Sequence, residues 1–365
     1  MKVLCGRDQL REALTIAASA IPSRTTKPVL EAVLLEAHGN EITISATDLE
    51  IAIRYQLTEV QVEREGACLI PAKEATEFIR DLEDEAITLE TTKSSVRIHG
   101  KEDSCEISLA DASEFPEMPI VTEGGGFELP STVLETLIER TAFAAARESG
   151  RFAMNGVRFE VLQDRVRLIA TDGRRLSLVE APLAATGAEF SPVTVPSKAV
   201  QQFVRLNNGQ NVPVEIRVSS ERVSIKTARA TIVSRLLEGD FPKYQAVIPR
   251  EGKNYAECDA KQFAQKLRLV SHLSAPEQPI VRLKFTGSSL ALTASSPQRG
   301  EARAEMPAVF KGVNDHIAFN PEFVLDGLKI CRRETVRIEF SDHASPGKFH
   351  LNENHEYVVM PVVNE

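Results

Sequence analysis

Apolar and polar residues alternate on both sides of Asp172-Gly173, which predicts two β-strands joined by a tight turn. The alternation covers Arg165–Ala170 before the turn and Leu176–Ala181 after it. An Asp-Gly pair between such runs is typical of a hairpin with a primed turn, and aspartate tolerates the positive φ that such turns need. We therefore predict that Asp172 is a turn residue rather than a catalytic acid.

The same pattern recurs along the chain, which indicates an internal repeat. Versions of the hairpin phrase begin roughly 125 residues apart, a domain-sized spacing, at Ala46–Ile53, Ile169–Val179 and Leu292–Pro297. A phrase that leads a strand into a helix recurs as Ile70–Ile79, Val195–Val204 and Phe319–Leu328. A Phe-Pro segment occurs twice, in Ser113–Pro119 and Gly239–Tyr244. The chain thus contains one domain plan in three copies, and we place the domains at 1–123, 124–251 and 252–365.

Each third of the chain predicts two helices and several strands. Apolar residues at helical spacing, with proline or a capping residue at the ends, predict helices over Arg7–Ile21, Ala72–Leu82, Ser131–Arg147, Ser197–Leu206, Asp259–Leu273 and Pro321–Cys331. Alternating runs predict strands over Lys2–Cys5, Ala32–His38, Glu41–Thr47, Glu50–Leu57, Val60–Pro71, Ala86–Thr91, Ser94–His99, Ser104–Leu109, within Gly156–Val179, between the helix that ends at Leu206 and Leu237, from Val281 to Met306, and over Val336–Phe340 and Tyr357–Val362. Linkers are expected near Val121–Gly126 and Pro249–Lys253. The predicted fold is α+β, with the helices of each domain packed on one face of an antiparallel sheet.

Length and composition narrow the class of protein. A chain of 365 residues with 42% hydrophobic residues is too long for one ordinary core and fits three domains of about 120 residues. The five cysteines form no C-x-x-C pair, which favours a reducing compartment, and we expect a cytoplasmic protein. Neither a leader peptide nor a run of 18 apolar residues is found, so no membrane association is expected. No glycine-rich phosphate loop appears, and no cofactor is expected.

The placement of charge is more informative than its total. A formal charge of −9 argues against a simple basic nucleic-acid binder. The predicted helices, with the last one counted to Arg333, hold 14 basic and 10 acidic residues, whereas the rest of the chain holds 29 basic and 42 acidic residues. Helices that share a surface facing a polyanion would produce this partition. Ordinary solvated helix faces would also produce it.

Four motifs in the same order resemble the bacterial DNA polymerase III beta subunit, the sliding-clamp family. They are Ala170–Leu176, the proline–lysine segment that opens the second helix of a repeat, the Phe-Pro segment, and Tyr357–Val362 at the end. The resemblance covers the whole chain. It implies a head-to-tail homodimer that forms a ring, with helices around sequence-independent duplex DNA and strands outside. It also implies a role as a processivity factor, without catalytic activity or bound metal, that tethers the replicative polymerase subunit, the clamp loader and other proteins with a clamp-binding motif.

The resemblance implies a partner-peptide pocket between the second and third domains. By motif, its residues are Met154, Thr171, Gly173, Arg174, Arg175, Leu176, Pro242, Val247, Val358, Met360, Pro361 and Val362. Mostly apolar residues with a few polar groups are usual for a peptide pocket, although core packing would also account for Val358 and Met360. The rim departs from many relatives at three places. Arg174 replaces a histidine, Ala246 replaces an arginine, and Val363-Asn364-Glu365 replaces a shorter basic end.

The resemblance also implies DNA contacts and a subunit seam. The DNA-facing positions are Arg24, Lys73, Arg80 and Lys198, and helix geometry adds Arg205; each could equally be a solvated surface residue. Ile107 and Leu273 are apolar candidates for the seam between the first domain of one protomer and the third domain of the other.

Two other classes of protein stay open at this point. An enzyme could use Asp48 and Asp172 for acid–base chemistry, but these residues occupy the same repeat position in separate domains. His343, His350 and His355 lie near one another in sequence, but their spacing matches no zinc motif. A protein-interaction scaffold without DNA would need no basic helix surface.

Overall fold

The structure is a computed structural model that describes residues 1–147, 152–183, 190–207, 209–249, 252–313 and 315–363. The first third contains two helices, α1 (Arg7–Ala18) and α2 (Ala72–Asp81). Its strands are β1 (Lys2–Gly6), β2 (Ala32–His38), β3 (Glu41–Thr47), β4 (Ile51–Leu57), β5 (Val60–Arg64), β6 (Gly66–Pro71), β7 (Ala86–Thr91), β8 (Ser95–His99) and β9 (Ser104–Ser108).

The second and third thirds follow the same plan. The second contains β10 (Gly125–Pro130), α3 (Ser131–Glu139), β11 (Gly156–Val161), β12 (Arg165–Thr171), β13 (Arg175–Pro182), β14 (Val193–Pro196), α4 (Ser197–Asn207), β15 (Pro213–Val218), β16 (Arg222–Lys226) and β17 (Ala230–Arg235). The third contains β18 (Asn254–Asp259), α5 (Ala260–Ser271), β19 (Val281–Phe285), β20 (Ser289–Ser296), β21 (Gly300–Pro307), β22 (Val309–Lys311), β23 (His316–Phe319), α6 (Pro321–Lys329), β24 (Thr335–Phe340), β25 (Gly347–His350) and β26 (His355–Val359).

The described residues form two compact units. The first contains residues 1–135, 190–191 and 198–236, and the second contains residues 136–183, 192–197 and 237–363. In the first unit, an eight-stranded sheet has the order β10-β15-β16-β17-β4-β3-β2-β6, and a five-stranded sheet has the order β5-β1-β7-β8-β9. Helix α1 packs on β3 and β4 and against α2, and it buries Leu10 and Leu14 completely.

The second unit contains a nine-stranded and a four-stranded sheet. Their orders are β14-β11-β12-β13-β26-β25-β24-β18-β22 and β21-β20-β19-β23. Helix α5 packs against α6 and β21 over a core rich in aromatic side chains, among them Phe263, Phe285, Phe340 and Tyr357. The two large sheets each combine strands from successive thirds of the chain, because β4 pairs with β17 and β13 pairs with β26.

The predicted helices are present, but several end earlier than predicted. Helix α3 ends at Glu139 instead of Arg147, and a short 3-10 helix follows at Ala142–Ala144. Thr141 lies where the helix ends, and its hydroxyl donates to the carbonyl of Leu137, a local bond that competes with continued helix. Helix α1 also ends early, at Ala18.

Two predictions that involve glycine are wrong. The linker predicted near Val121–Gly126 is shorter than predicted, because Gly125 and Gly126 begin β10 and pair with β15. A side chain on Gly126 would collide with the carbonyl of Ile216, so glycine here permits close strand pairing. The single strand predicted over Val60–Pro71 is interrupted, and the structure has two strands, β5 and β6, in its place. The second strand begins at Gly66, whose φ is +147°.

Candidate partner-binding groove

The hairpin at Asp172 is confirmed, but its turn differs from the predicted one. Thr171 pairs with Leu176, which leaves four residues in the connection. The positive φ lies at Gly173, at +86°, and not at Asp172. Asp172 instead uses Oδ1 to accept the backbone N–H groups of Arg174 and Arg175, at 2.9 and 3.0 Å. The carboxylate therefore stabilises the turn through side-chain hydrogen bonds.

Strand β13 then pairs with β26, which brings the chain end beside the turn. Leu176 lies opposite Val358, and the N–H of Met360 donates to the carbonyl of Arg174 over 2.8 Å. Leu176 and Val358 pack together in a small apolar cluster with Ile169, Leu178, Phe241 and Tyr244. Val358 is therefore a core residue, whereas Met360, just beyond the strand, is 37% exposed.

Arg175 is the buried polar centre of this region. The residue is only 6% exposed. Its guanidinium donates hydrogen bonds of 2.8 Å to Asp326 and to the carbonyl of Phe143, and one of 3.1 Å to Asp172. It also lies 4.8 Å from the ring centre of Phe323, within the range of a cation–π interaction. Burial favours the neutral form of Asp326, but Lys329 and Arg175 outweigh it and hold the pKa of that carboxyl below its usual value. Arg175 thus joins the hairpin turn to helix α6.

A groove of about 660 Å³ opens beside Met360. Its lining combines the end of the chain with three other segments and consists of Arg174, Glu277, Gln278, Pro279, Asn320, Phe323, Met360, Pro361, Val362 and Val363. A smaller cleft of about 270 Å³ shares Arg174 and Phe323 with it and is lined also by Arg147, Asp172 and Glu322. Apolar side chains with charged groups at the rim suit a short peptide.

The structure places the twelve predicted pocket residues in different surroundings. Arg174, Met360, Pro361 and Val362 line the groove. Gly173 lies exposed in the turn beside Arg174. Buried residues lie behind or beside these, namely Thr171, Arg175, Leu176 and Val358. Pro242 and Val247 are exposed on either side of Tyr244, whose ring belongs to the Leu176–Val358 cluster. Met154 is half-buried and does not line the groove; its carbonyl accepts the N–H of Ala146 over 2.9 Å.

Sequence reasoning missed the groove residues that come from distant parts of the chain. Phe323 and Asn320 belong to the start of α6, and Glu277–Pro279 precede β19. Asn320 could have been identified from the sequence as a helix cap, because an asparagine directly before a proline is typical of a helix start. In the structure its side chain accepts the N–H of Glu322 and caps α6. Glu277 carries no such local signal. Of the three departures at the rim, Arg174 and Val363 line the groove, Ala246 is exposed near Val247, and Asn364 and Glu365 lie outside the described residues.

A neutral histidine lies at the start of strand β26. His355 on β26 is 4% exposed, and burial, with the nearby charge of Arg140, lowers its pKa to about 3. The amide of Asn352 donates to its Nδ1 over 3.1 Å, so its Nε2 carries the proton and donates to Ser177 over 2.9 Å. The predicted metal alternative therefore loses one member, because His355 is fully occupied by hydrogen bonds. Within the described chain, no cluster of three or more His, Cys, Asp or Glu is arranged to hold a metal ion.

The five basic residues predicted to face DNA are all exposed in the first unit. Lys198 is paired with Asp48 at the β3–β4 turn, and Arg80 is paired with Asp81 over 2.9 Å. Among the described residues, no ion pair engages Arg24, Lys73 or Arg205.

The two predicted seam residues are half-buried. Ile107 lies on β9, the last strand of the five-stranded sheet, and Leu273 follows α5. No helix in the described residues is long and apolar enough to cross a membrane. The five cysteines are all free thiols.

Known proteins of one family are similar to this chain along nearly its whole length. Three domain models of the DNA polymerase III beta subunit match in order: the N-terminal domain over residues 1–119, the central domain over 128–243 and the C-terminal domain over 245–363. The beta sliding clamp of Pseudomonas aeruginosa is 29% identical over 362 residues, covering 98% of both chains, and that of Chlamydia pneumoniae is 27% identical over 363 residues, covering 99% of both.

The fold matches solved structures equally fully. The crystal structure of the DNA polymerase III subunit beta from Pseudomonas aeruginosa superposes with a TM-score of 0.95 at 28% identity, covering 100% of both chains. The α+β fold with three repeated clamp domains, predicted from the sequence, is confirmed. The chain therefore belongs to the DNA polymerase III beta subunit family, the bacterial beta sliding clamps.

Proposed function

We propose that this chain forms a head-to-tail homodimeric ring around duplex DNA and tethers the replicative polymerase through the groove beside Met360. The family consists of non-catalytic clamps of DNA replication, so the enzyme alternative is set aside. The observation that supports tethering best is the groove itself, a cavity of about 660 Å³. The apolar segment Met360–Val363 lines one side of it, and the charged residue Arg174 of the hairpin turn also lines it.

Tethering needs a grip that is modest and exchangeable. A polymerase held by one short peptide rebinds its primer end intramolecularly, so even weak contacts raise processivity. Met360 suits this task because an unbranched thioether repacks against different side chains. The clamp loader and other proteins with a clamp-binding motif would compete for the same groove. Arg174 and Glu277 give its rim both charges, which sets a peptide preference of its own.

DNA would be held by topology and steered by charge. Arg24, Lys73 and Arg205 are exposed and carry charge that is not used in ion pairs with described residues. Contacts of this kind go to phosphates and carry no sequence information. Lys198 and Arg80 would contribute less, because Asp48 and Asp81 already compensate their charge. The protein would then act on the nucleoid in the cytoplasm.

The subunit seam would use free sheet edges. Within the described residues, β9 pairs only with β8, and β21 pairs only with β20. An unpaired edge strand offers a row of backbone donors and acceptors to a partner strand. Ile107 on β9 and Leu273 beside α5, with the 57% exposed Leu269 on that helix, supply apolar surface. With the domain boundaries that we infer, 1–123, 124–251 and 252–365, the first domain of one copy would meet the third domain of the other.

The groove is tested by replacing Met360 with alanine, with Val309→Ala as a matched control. Val309 is 54% exposed in the same unit, outside the groove. Fluorescence anisotropy with a labelled clamp-binding peptide of a bacterial polymerase should show binding weakened about ten-fold by Met360→Ala and unchanged by the control. Deleting Met360–Glu365 should abolish binding and polymerase stimulation while light scattering still shows a dimer. Full affinity in both variants would place the partner site elsewhere.

A further inference from the structure

The first unit contains a cleft of about 420 Å³ on its eight-stranded sheet. Strands β4, β15, β16 and β17 form its floor, and the segment Met118–Thr122 forms one wall. The floor residues lie on the sheet face opposite to Ile51 and Ile53, which are buried in the core. Apolar residues of the cleft include Ala52, Val233 and Val121.

This cleft occupies the position in the first unit that the Leu176–Val358 region occupies in the second. The turn that leads into it has the same hydrogen bonds. Thr47 Oγ1 accepts the N–H of Leu49 over 2.9 Å, and Asp48 Oδ1 accepts the N–H groups of Glu50 and Ile51 over 3.0 and 2.7 Å. Leu49, at a φ of +78°, takes the conformation of Gly173.

The strand pairing beyond the turn is also equivalent. Ala52 lies opposite Val233 as Leu176 lies opposite Val358. The N–H of Arg235 donates to the carbonyl of Glu50 over 3.0 Å, the same bond that Met360 makes to Arg174. The covering segments correspond as well, because each follows a Phe-Pro pair, at Phe115 and at Phe241.

The cleft in the first unit differs from the Leu176–Val358 region in one residue that affects which ligand it could bind. Where the second unit places the buried side chain of Leu178, the first unit places Arg54. Among the described residues, the buried Nε of Arg54 has no hydrogen-bond partner, and its guanidinium makes no ion pair. Lys226 adds a second cation, whereas Glu215, the one carboxylate among the described lining residues, is paired with Arg217. A buried Nε–H without a partner is costly, and an anionic ligand is the kind of group that would accept from it.

We propose that this cleft is a second peptide-binding site, which takes a short segment of a partner protein with an acidic side chain between apolar ones. The carboxylate pairs with Arg54, in the bidentate geometry that a guanidinium offers. The apolar neighbours pack on Ala52, Val233 and the Met118–Thr122 wall. The proposal does not require that the groove beside Met360 binds partners. Binding at both places would let one protomer hold two segments at once.

Methionine methyl groups make the two sites separately observable. The chain has five methionines, and Met118 lines the cleft whereas Met360 lines the groove. The full-length protein, labelled with ¹³C at its methionine methyl groups, is titrated with acetyl-Gly-Val-Glu-Val-Gly-amide and with the glutamine analogue. We expect saturable shifts at Met118 and about ten-fold weaker binding of the glutamine peptide. Met1, buried in the first unit, reports whether that unit is intact.

Variants of Arg54 decide the assignment. Arg54→Gln should remove the preference for glutamate, and Arg54→Leu, which copies Leu178, should do so without loss of fold. Arg97→Gln is the matched control, because Arg97 is an exposed arginine on β8 outside the cleft. Equal affinity for both peptides, an unchanged preference in Arg54→Gln, or shifts at Met360 alone would overturn the proposal. An oligothymidylate that shifts Met118 at lower concentrations than the peptide would assign the cleft to nucleic acid and overturn it too.

Discussion

Replacing Arg175 with methionine removes the buried charge that joins the hairpin turn to helix α6. Breaking a buried ion pair by removing one partner costs about 3–5 kcal/mol. The lower end of that range applies here, since Asp326 keeps its bond of 2.6 Å to Lys329 and Asp172 keeps the N–H groups of the turn. We therefore expect a loss of about 3 kcal/mol in the free energy of unfolding of the second unit.

A double-mutant cycle separates this ion pair from general damage. Asp326→Asn removes the charge but keeps the shape, so the coupling between Arg175 and Asp326 should be about 1.5–3 kcal/mol, the usual value for a hydrogen bond to a charged group. The free energy of unfolding is measured by urea unfolding for the parent protein, the two single variants and the double variant. Hydrogen exchange of the β13 and β26 amides then shows how much of the coupling energy acts on these two strands.

The same variant should also affect the groove. Phe323 lines the groove and rests 4.8 Å from the guanidinium of Arg175, so its ring loses a packing partner. Peptide affinity should fall several-fold in Arg175→Met, while Asp326→Asn should have a smaller effect. A destabilisation below about 1 kcal/mol, or a coupling near zero, would refute the reasoning that Arg175 organises this region.

Three further predictions concern separate features. The folded protein stabilises the neutral form of His355, whose pKa is about 3 instead of the ordinary 6.5. The contribution of this neutral histidine to the free energy of unfolding is therefore complete above pH 6.5 and is lost as the pH falls towards 3. At pH 5 the loss is about 2 kcal/mol, and a His355→Asn variant should show a flatter dependence in urea unfolding. Gly173→Ala should lower the free energy of unfolding by about 1 kcal/mol, measured by urea unfolding, because alanine is strained at a φ of +86°; no loss would show that the turn relaxes. Arg24→Glu together with Lys73→Glu should slow loading onto nicked circular DNA and reduce the salt dependence of loading without changing the unfolding midpoint, and an unchanged loading rate would remove both residues from the DNA contact.

Sequence periodicity predicted the elements better than their arrangement. The spacing of Ala75 and Ile79 placed α2 correctly, because the helical stripe is local. The pairing of β4 with β17 and of β13 with β26 could not be predicted in the same way, since register between distant strands leaves no local signal. The predicted end of α3 failed for a related reason, as Thr141 bonds back to Leu137 instead of extending the helix.

The candidate site shows the same division. Motifs placed Arg174 and Met360 in the groove, because these residues belong to repeated or terminal phrases. Phe323 and Glu277 come from other segments and meet the groove only in the folded chain. Arg175 is the clearest surprise, since a charged residue in an exposed turn is expected in solvent, and here it is 6% exposed between two carboxylates and an aromatic ring.

Retention on DNA of defined topology tests the central claim most directly. The fluorescently labelled protein is loaded onto nicked circular DNA with a bacterial clamp loader and ATP, and it is then followed at high salt before and after the circle is cut once. If the protein encircles the duplex, it stays on the closed circle at salt concentrations that abolish phosphate contacts, and it leaves within the time of sliding once the DNA is linear. Equal retention on circular and linear DNA, or release from both at high salt, would contradict a ring that holds DNA by topology.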